Sequence, residues 1–147
     1  MSVLDDVVKT YDLRGLVGSQ LSAELMTALG SAFAEFVSAE KVLVSHDMRP
    51  SSPEFAEAFA AGVNAKQKQV ILLGLCSTDQ TYFASGTLNL PAVMFTASHN
   101  PASYNGIKFS NAGAQGISYE TGLGEIKTLA EKYLANPLDS LPRDVEN

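Results

Sequence analysis

The chain predicts an α/β fold, a three-layer α/β/α sandwich around a mostly parallel mixed sheet of about four strands. Three observations carry that expectation. Segments with helical periodicity alternate with short apolar runs. Those runs are strand-sized and apolar at consecutive positions, as strands covered on both faces are. Ser, Pro, Gly and Asn punctuate the boundaries between them.

Leu21, Leu25, Leu29, Phe33 and Val37 recur at helical spacing and predict a helix over residues 22–38. Lys41–Ser45 follows as a short apolar strand. Ser51-Ser-Pro-Glu54 has the make-up of a helix start. Either Ser can cap, Pro53 suits the first turn, and Glu54 favours its positive end. Phe55, Phe59 and Val63 supply that helix with a buried stripe. Gln69–Leu73 reads as the second strand and ends at Gly74. A third helix is expected over Thr78–Leu88, since Tyr82, Phe83 and Leu88 can share a face. Pro91–Thr96 is the third strong strand, and the polar loop Ser98–Gly106 separates it from the strand Ile107–Ser110. Asn111–Ile117 is turn-like, and Leu123, Ile126, Ala130, Tyr133 and Leu134 mark a last helix. Residues 1–135 read as one domain and residues 136–147 as a linker or tail.

The composition excludes several classes. Ten Lys plus Arg stand against 16 Asp plus Glu, a formal charge of −6. A nucleic-acid binder needs clustered cations to neutralise phosphates, so no nucleic-acid partner is expected. A single Cys excludes an intrachain disulfide and a four-Cys zinc site, and fits a reducing cytoplasm. No apolar stretch approaches the roughly 20 residues needed to span a bilayer, so no membrane association is expected.

In parallel sheets, ligands collect outside the carboxyl ends of the strands. The loops to inspect are therefore 45–52, 74–81 and 96–106. The last, Thr96-Ala-Ser-His-Asn-Pro101, sets Ser98 and His99 just past a buried strand. Asn100-Pro101 stiffens the turn, because the residue before Pro is pushed out of the helical region. A hydroxyl held on rigid backbone at a sheet end suits a nucleophile or a phosphate carrier; these are also ordinary turn residues. Lys108, in Asn105-Gly-Ile-Lys108, follows a Gly that permits a tight turn and can return beside Ser98. A cation there favours a phosphoserine dianion and can donate a proton.

Two further clusters flank this loop. Tyr11-Asp-Leu-Arg-Gly15 sets Arg14 ahead of the first long helix, as a phosphate fork or as a surface ion pair. His46-Asp-Met-Arg-Pro-Ser-Ser52 sets Arg49 ahead of a helix start, as an anion contact or as a cap with an internal Asp47–Arg49 pair. Arg14, Arg49 and Lys108 thus occupy candidate loops of an acidic chain, which suits a phosphorylated small ligand. No G-x-S-x-G elbow, P-loop or G-x-G-x-x-G is present. Cys76 reads as a strand-end core residue.

In their order along the chain, these four motifs resemble the first domain of the α-D-phosphohexomutases, the phosphomannomutase/phosphoglucomutase family. The resemblance covers residues 8–134. It implies that Ser98 is carried as phosphoserine and gives its phosphoryl group to a hexose phosphate, by way of a hexose 1,6-bisphosphate. It implies a Mg²⁺ ion bound through the Ser98 phosphate. It implies that His99 and Lys108 line the phosphoserine, that Lys108 and Arg14 transfer protons and stabilise charge, and that Tyr11, Arg14 and Lys108 meet substrate.

The sequence departs from the family pattern at Ser45-His46-Asp47, where G-R-D is common, and at Ser77-Thr78-Asp79, where T-P is common. The family's acidic metal-binding D-G-D loop, which belongs to a second domain, is absent. The resemblance therefore implies partner domains beyond this sequence and no turnover by these residues alone. The alternative is a free-standing sugar-phosphate or anion-binding module that does no chemistry.

Overall fold

A computed structural model describes residues 2–136. The elements are α1 (Leu4–Val7), β1 (Leu13–Leu16), α2 (Ala23–Phe36), β2 (Lys41–His46), α3 (Ser52–Ala65), β3 (Gln69–Leu75), α4 (Thr78–Leu88), β4 (Ala92–Phe95), β5 (Tyr104–Asn111), β6 (Gln115–Gly116), a π-helical turn (Tyr119–Leu123) and α5 (Gly124–Ala135). The expected linker, apart from Asn136, lies outside the described residues.

The sheet has six strands rather than about four. Its order is β1-β5-β4-β2-β3, with β6 on β5. Strands β3, β2 and β4 run parallel, while β5 is antiparallel to both β4 and β1. The strands missing from the sequence reading are the two-residue β6, in a segment expected as a turn, and β1. Leu13-Arg-Gly-Leu16 has no apolar run, and only its ladder with residues 104–107 makes it a strand. The segment around Arg14, expected as a loop, is therefore part of the sheet.

Helices α2, α3 and α5 form one outer layer. Phe33 on α2, Phe59 on α3, Phe95 on β4 and Phe109 on β5 meet there in tilted and edge-on pairs, with ring centroids 5.3–6.3 Å apart. All four rings are buried. Ser22 caps α2 by accepting from Leu25 N–H, so the helix begins one residue after the expected start.

Among the described residues, α4 is the helix on the opposite face, and its packing is not the one its apolar residues suggest. Thr81 and Ser85 are its buried residues, while Phe83 and Leu88 are exposed. The contacts are polar. Ser45 Oγ lies 2.7 Å from Thr81 Oγ1, and Ser85 Oγ donates to the Leu90 carbonyl. Small hydroxylated residues let α4 sit close to the sheet, so its larger apolar residues turn outward. β3 is an edge strand, and Leu72 and Leu75 on it are likewise exposed. Among the described residues, no helix is long and apolar enough to cross a membrane.

Candidate functional site

The loops after β2, β3 and β4 converge, as the strand-end rule predicts. They enclose a hollow of about 430 Å³ whose walls include Asp47, Met48, Cys76, Ser77, Thr96 and Ser98. Cys76 is half-buried on that wall and not in the core, because β3 is an edge strand that ends one residue before it. Ser77 starts α4 with a reciprocal cap: its Oγ accepts from Gln80 N–H, and its own N–H donates to Gln80 Oε1. The positive end of α4 therefore opens on the hollow, which favours anions there.

Ser98 stands at the rim. Its φ is +54°, a left-handed conformation unusual for a residue with a side chain. Its N–H donates to Thr96 Oγ1 at 3.0 Å and its carbonyl accepts from Arg49 Nη2 at 3.0 Å. Both backbone polar groups are thus tied. The hydroxyl has no hydrogen-bond partner among the described residues, and the side chain is exposed, as is that of His99. Asn100 closes the turn, its N–H and its Nδ2 both donating to the Ala97 carbonyl.

Arg14 and Lys108 share one face of the sheet. Lys108 on β5 lies directly opposite Met94 on β4, so both side chains project to the α4 side. Met94 also lines the hollow. Arg14 on β1 lies opposite Gly106, two positions before Lys108, and projects to the same side. Its Nε pairs with Asp12 Oδ2 at 2.9 Å, and 40% of its side chain stays exposed. With Asn100 and Tyr104 it borders a second hollow of about 280 Å³ on the other flank of the serine loop.

Two expected members fall elsewhere. Tyr11 is 77% exposed and opens into a separate hollow beside Val8, Ser118 and Tyr119. Arg49 is turned inward: its side chain is only 9% exposed, and it pairs with Asp47 at 3.1 Å. The expected pairing holds, while the expected cap does not. Neither Ser51 nor Ser52 caps α3 with its side chain. Both accept from Asn105 Nδ2, and Ser52 Oγ donates to Asp47 Oδ1 at 2.7 Å. Asn105 is fully buried, and its Oδ1 accepts from Gly106 N–H. The segments Asp47–Ser52 and Asn105–Gly106 are thus one polar bracket behind the serine loop. No sequence signal marked Asn105 for this, beyond its place beside Gly106.

A family model described as phosphoglucomutase/phosphomannomutase, alpha/beta/alpha domain I, matches residues 5–136. The chain belongs to that family. It is a first domain of the phosphohexomutase kind. A phosphohexose mutase of Xanthomonas campestris pv. campestris (strain B100) is 42% identical over 120 residues, 81% of this chain and 27% of that protein. A phosphomannomutase from Klebsiella pneumoniae is 37% identical over 136 residues, 92% of this chain and 87% of that sequence. A solved phosphoglucomutase/phosphomannomutase family protein from Burkholderia thailandensis superposes on domain I with a TM-score of 0.74. That match is 29% identical and covers 90% of this chain and 30% of the other. Domain I thus spans about a quarter to a third of these two longer relatives.

Proposed function

We propose that this domain carries the phosphoryl-accepting serine of a mutase acting on hexose phosphates, with Ser98 as the acceptor. The observation behind this reading is the state of Ser98: backbone pinned at a left-handed φ, hydroxyl free and exposed, at the rim of the strand-end hollow. Strain held at one residue by its surroundings is a feature of reactive positions.

In the forward half-reaction, the bond between Ser98 Oγ and phosphorus breaks and a sugar hydroxyl oxygen bonds to phosphorus. The sugar hydroxyl gives its proton to solvent water, and Ser98 Oγ takes one for which Lys108, reprotonated from solvent, is the proposed donor. The reverse half-reaction, from the other phosphate of the bisphosphorylated sugar, recharges Ser98. Phosphoryl transfer depends mainly on positioning and charge neutralisation, and Arg14, Lys108 and the α4 N-terminus, on one face of the sheet, supply positive potential around the loop. His99 is proposed to line the phosphoserine and Tyr11 to meet the sugar from the outer rim. Among the described residues, no three His, Cys, Asp or Glu side chains gather as a metal site. These residues do not by themselves hold a Mg²⁺ ion, and an ion on the Ser98 phosphate would take its remaining ligands from outside them. A cytoplasmic setting, with sugar phosphates and reduced thiols, is part of the same reading.

The test is peptide mass spectrometry of the native polypeptide that carries this sequence, isolated with phosphatase inhibitors. Phosphate on Ser98, exchangeable with added glucose 1,6-bisphosphate and absent from Ser98→Ala, is the expected result. An unmodified Ser98 under both conditions overturns the reading.

A further inference from the structure

Arg49 is a cation sealed behind the serine loop, and its geometry accounts for every side-chain donor it has. A guanidinium carries five N–H groups in a fixed fork. Nε donates to Asp47 Oδ2. Nη1 donates to the carbonyls of Pro101 at 2.7 Å and Tyr104 at 3.0 Å. Nη2 donates to the carbonyls of Ser98 at 3.0 Å and Asn100 at 2.8 Å. Four carbonyls of one seven-residue stretch thus converge on a single side chain.

We propose that Arg49 is a positioning residue that holds the Ser98 loop in its phosphoryl-accepting conformation, with Asp47 as its anchor. The proposal rests on the reading of Ser98 as acceptor. Ser98 prefers other backbone conformations, and its left-handed φ persists only under external constraint. The Arg49 bond to its carbonyl and the Thr96 bond to its N–H are that constraint. A second consequence follows from trans peptide planarity, since no cis bond is present among the described residues. A carbonyl aimed at Arg49 turns the next N–H the opposite way. With the Ser98 carbonyl held inward, the His99 N–H points outward, where it can serve a phosphoryl oxygen on Ser98.

Asp47 fixes the direction of the fork. Its Oδ1 accepts from the Arg49 backbone N–H and from Ser52 Oγ, and its Oδ2 takes Nε. A lysine at position 49 keeps the charge but presents one ammonium, which cannot reach carbonyls spread over residues 98–104.

The experiment is amide hydrogen exchange of the chain, followed by mass spectrometry, for wild type, Arg49→Lys and Asp47→Asn. In Arg49→Lys, exchange over residues 97–104 is expected to rise about tenfold or more, as loss of charge-assisted hydrogen bonds implies, while α2 keeps its protection. Asp47→Asn should show a smaller rise over the same residues, and it serves as the test should Arg49→Lys fail to fold. Unchanged loop exchange, or a rise spread evenly over loop and helices, overturns the proposal. In the native polypeptide, Arg49→Lys should lower kcat and leave KM near wild type, and added methylguanidinium should restore part of the activity of Arg49→Ala. If wild-type Ser98 never carries phosphate, the acceptor reading fails, and loop exchange still judges Arg49 on its own.

Discussion

The Arg14 side chain lies across the backbone of Gly106. A Cβ on Gly106 would stand 2.8 Å from Arg14 Cγ and 2.1 Å from the Leu13 carbonyl oxygen. The second contact is with backbone in the β1–β5 ladder and cannot be relieved by a rotamer change. The Gly106 carbonyl also receives the Thr96 N–H, so this crossing is joined to the start of the serine loop. Gly106→Ala is expected to destabilise the fold by ~2 kcal/mol or more and to displace Arg14. Thermal melting and sulfate-binding titration check both effects. An unchanged melting point would mean that β1 and β5 are further apart than described.

Ser98 has an exposed side chain and no side-chain hydrogen bond to lose. Ser98→Ala should therefore leave stability within about 0.5 kcal/mol, as exposed substitutions do, while removing phosphoryl acceptance altogether. Differential scanning calorimetry paired with phosphopeptide analysis separates the two. A large loss of stability would contradict the free hydroxyl.

Helices α2 and α3 approach through glycines. A Cβ on Gly62 would sit 2.0 Å from the Thr27 carbonyl oxygen, and one on Gly30 would sit 2.0 Å from that of Phe59. Ser31 Oγ donates to the Gly62 carbonyl at 2.9 Å across the same contact. Alanine favours a helix over glycine by about 1 kcal/mol, yet Gly62→Ala is expected to be net destabilising, because overpacking costs about 1–3 kcal/mol and here meets rigid backbone. Urea denaturation measures the sign.

Burial, and secondarily the Asp12 charge, raise the Tyr82 phenol above its ordinary range. Its folded pKa therefore exceeds its unfolded value of about 10. Below that value both states hold the proton, and the stabilisation is complete. As pH climbs past it, the unfolded state ionises first and stability falls until the folded pKa is passed. Tyr82→Phe should flatten this alkaline loss, read as melting temperature against pH from about 9 to 11.5. Equal slopes in wild type and variant would place Tyr82 in ordinary solvent.

The isolated 147-residue chain should not convert glucose 1-phosphate to glucose 6-phosphate, since no acidic cluster able to hold a hard dication is found among the described residues. A coupled dehydrogenase assay checks this, and sustained turnover dependent on Ser98 would overturn it.

Most long elements could be read from the sequence, because their burial is periodic. The stripe of Leu25, Leu29 and Phe33 is buried on α2 as its spacing implies. β1 could not be read so, since its partner lies some ninety residues on and supplies the ladder. The packing face of α4 could not be read either, because helical spacing says which residues share a side, not which side meets the sheet. There, Thr81 and Ser85 fit close to the strands and Phe83 does not. In the site, the serine loop stood out through its own chemistry, Ser98 beside His99 and ahead of Asn100-Pro101. The duty of Arg49 did not, since an Asp two residues earlier satisfied a purely local account of it.

Local chemistry was enough to establish the order of the long helices and of strands β2 to β5, the turn that carries Ser98 and the motifs that link the chain to its family. Such features depend on neighbours a few residues apart. Which cation faces the loop and which is sealed behind it came from packing alone. β2 lies beside β4 and brings Arg49 to the Ser98 carbonyl, 49 positions away in sequence, while the β1–β5 register lays Arg14 over Gly106. Hydrogen bonds that close so distant a contact exist only once the sheet has assembled.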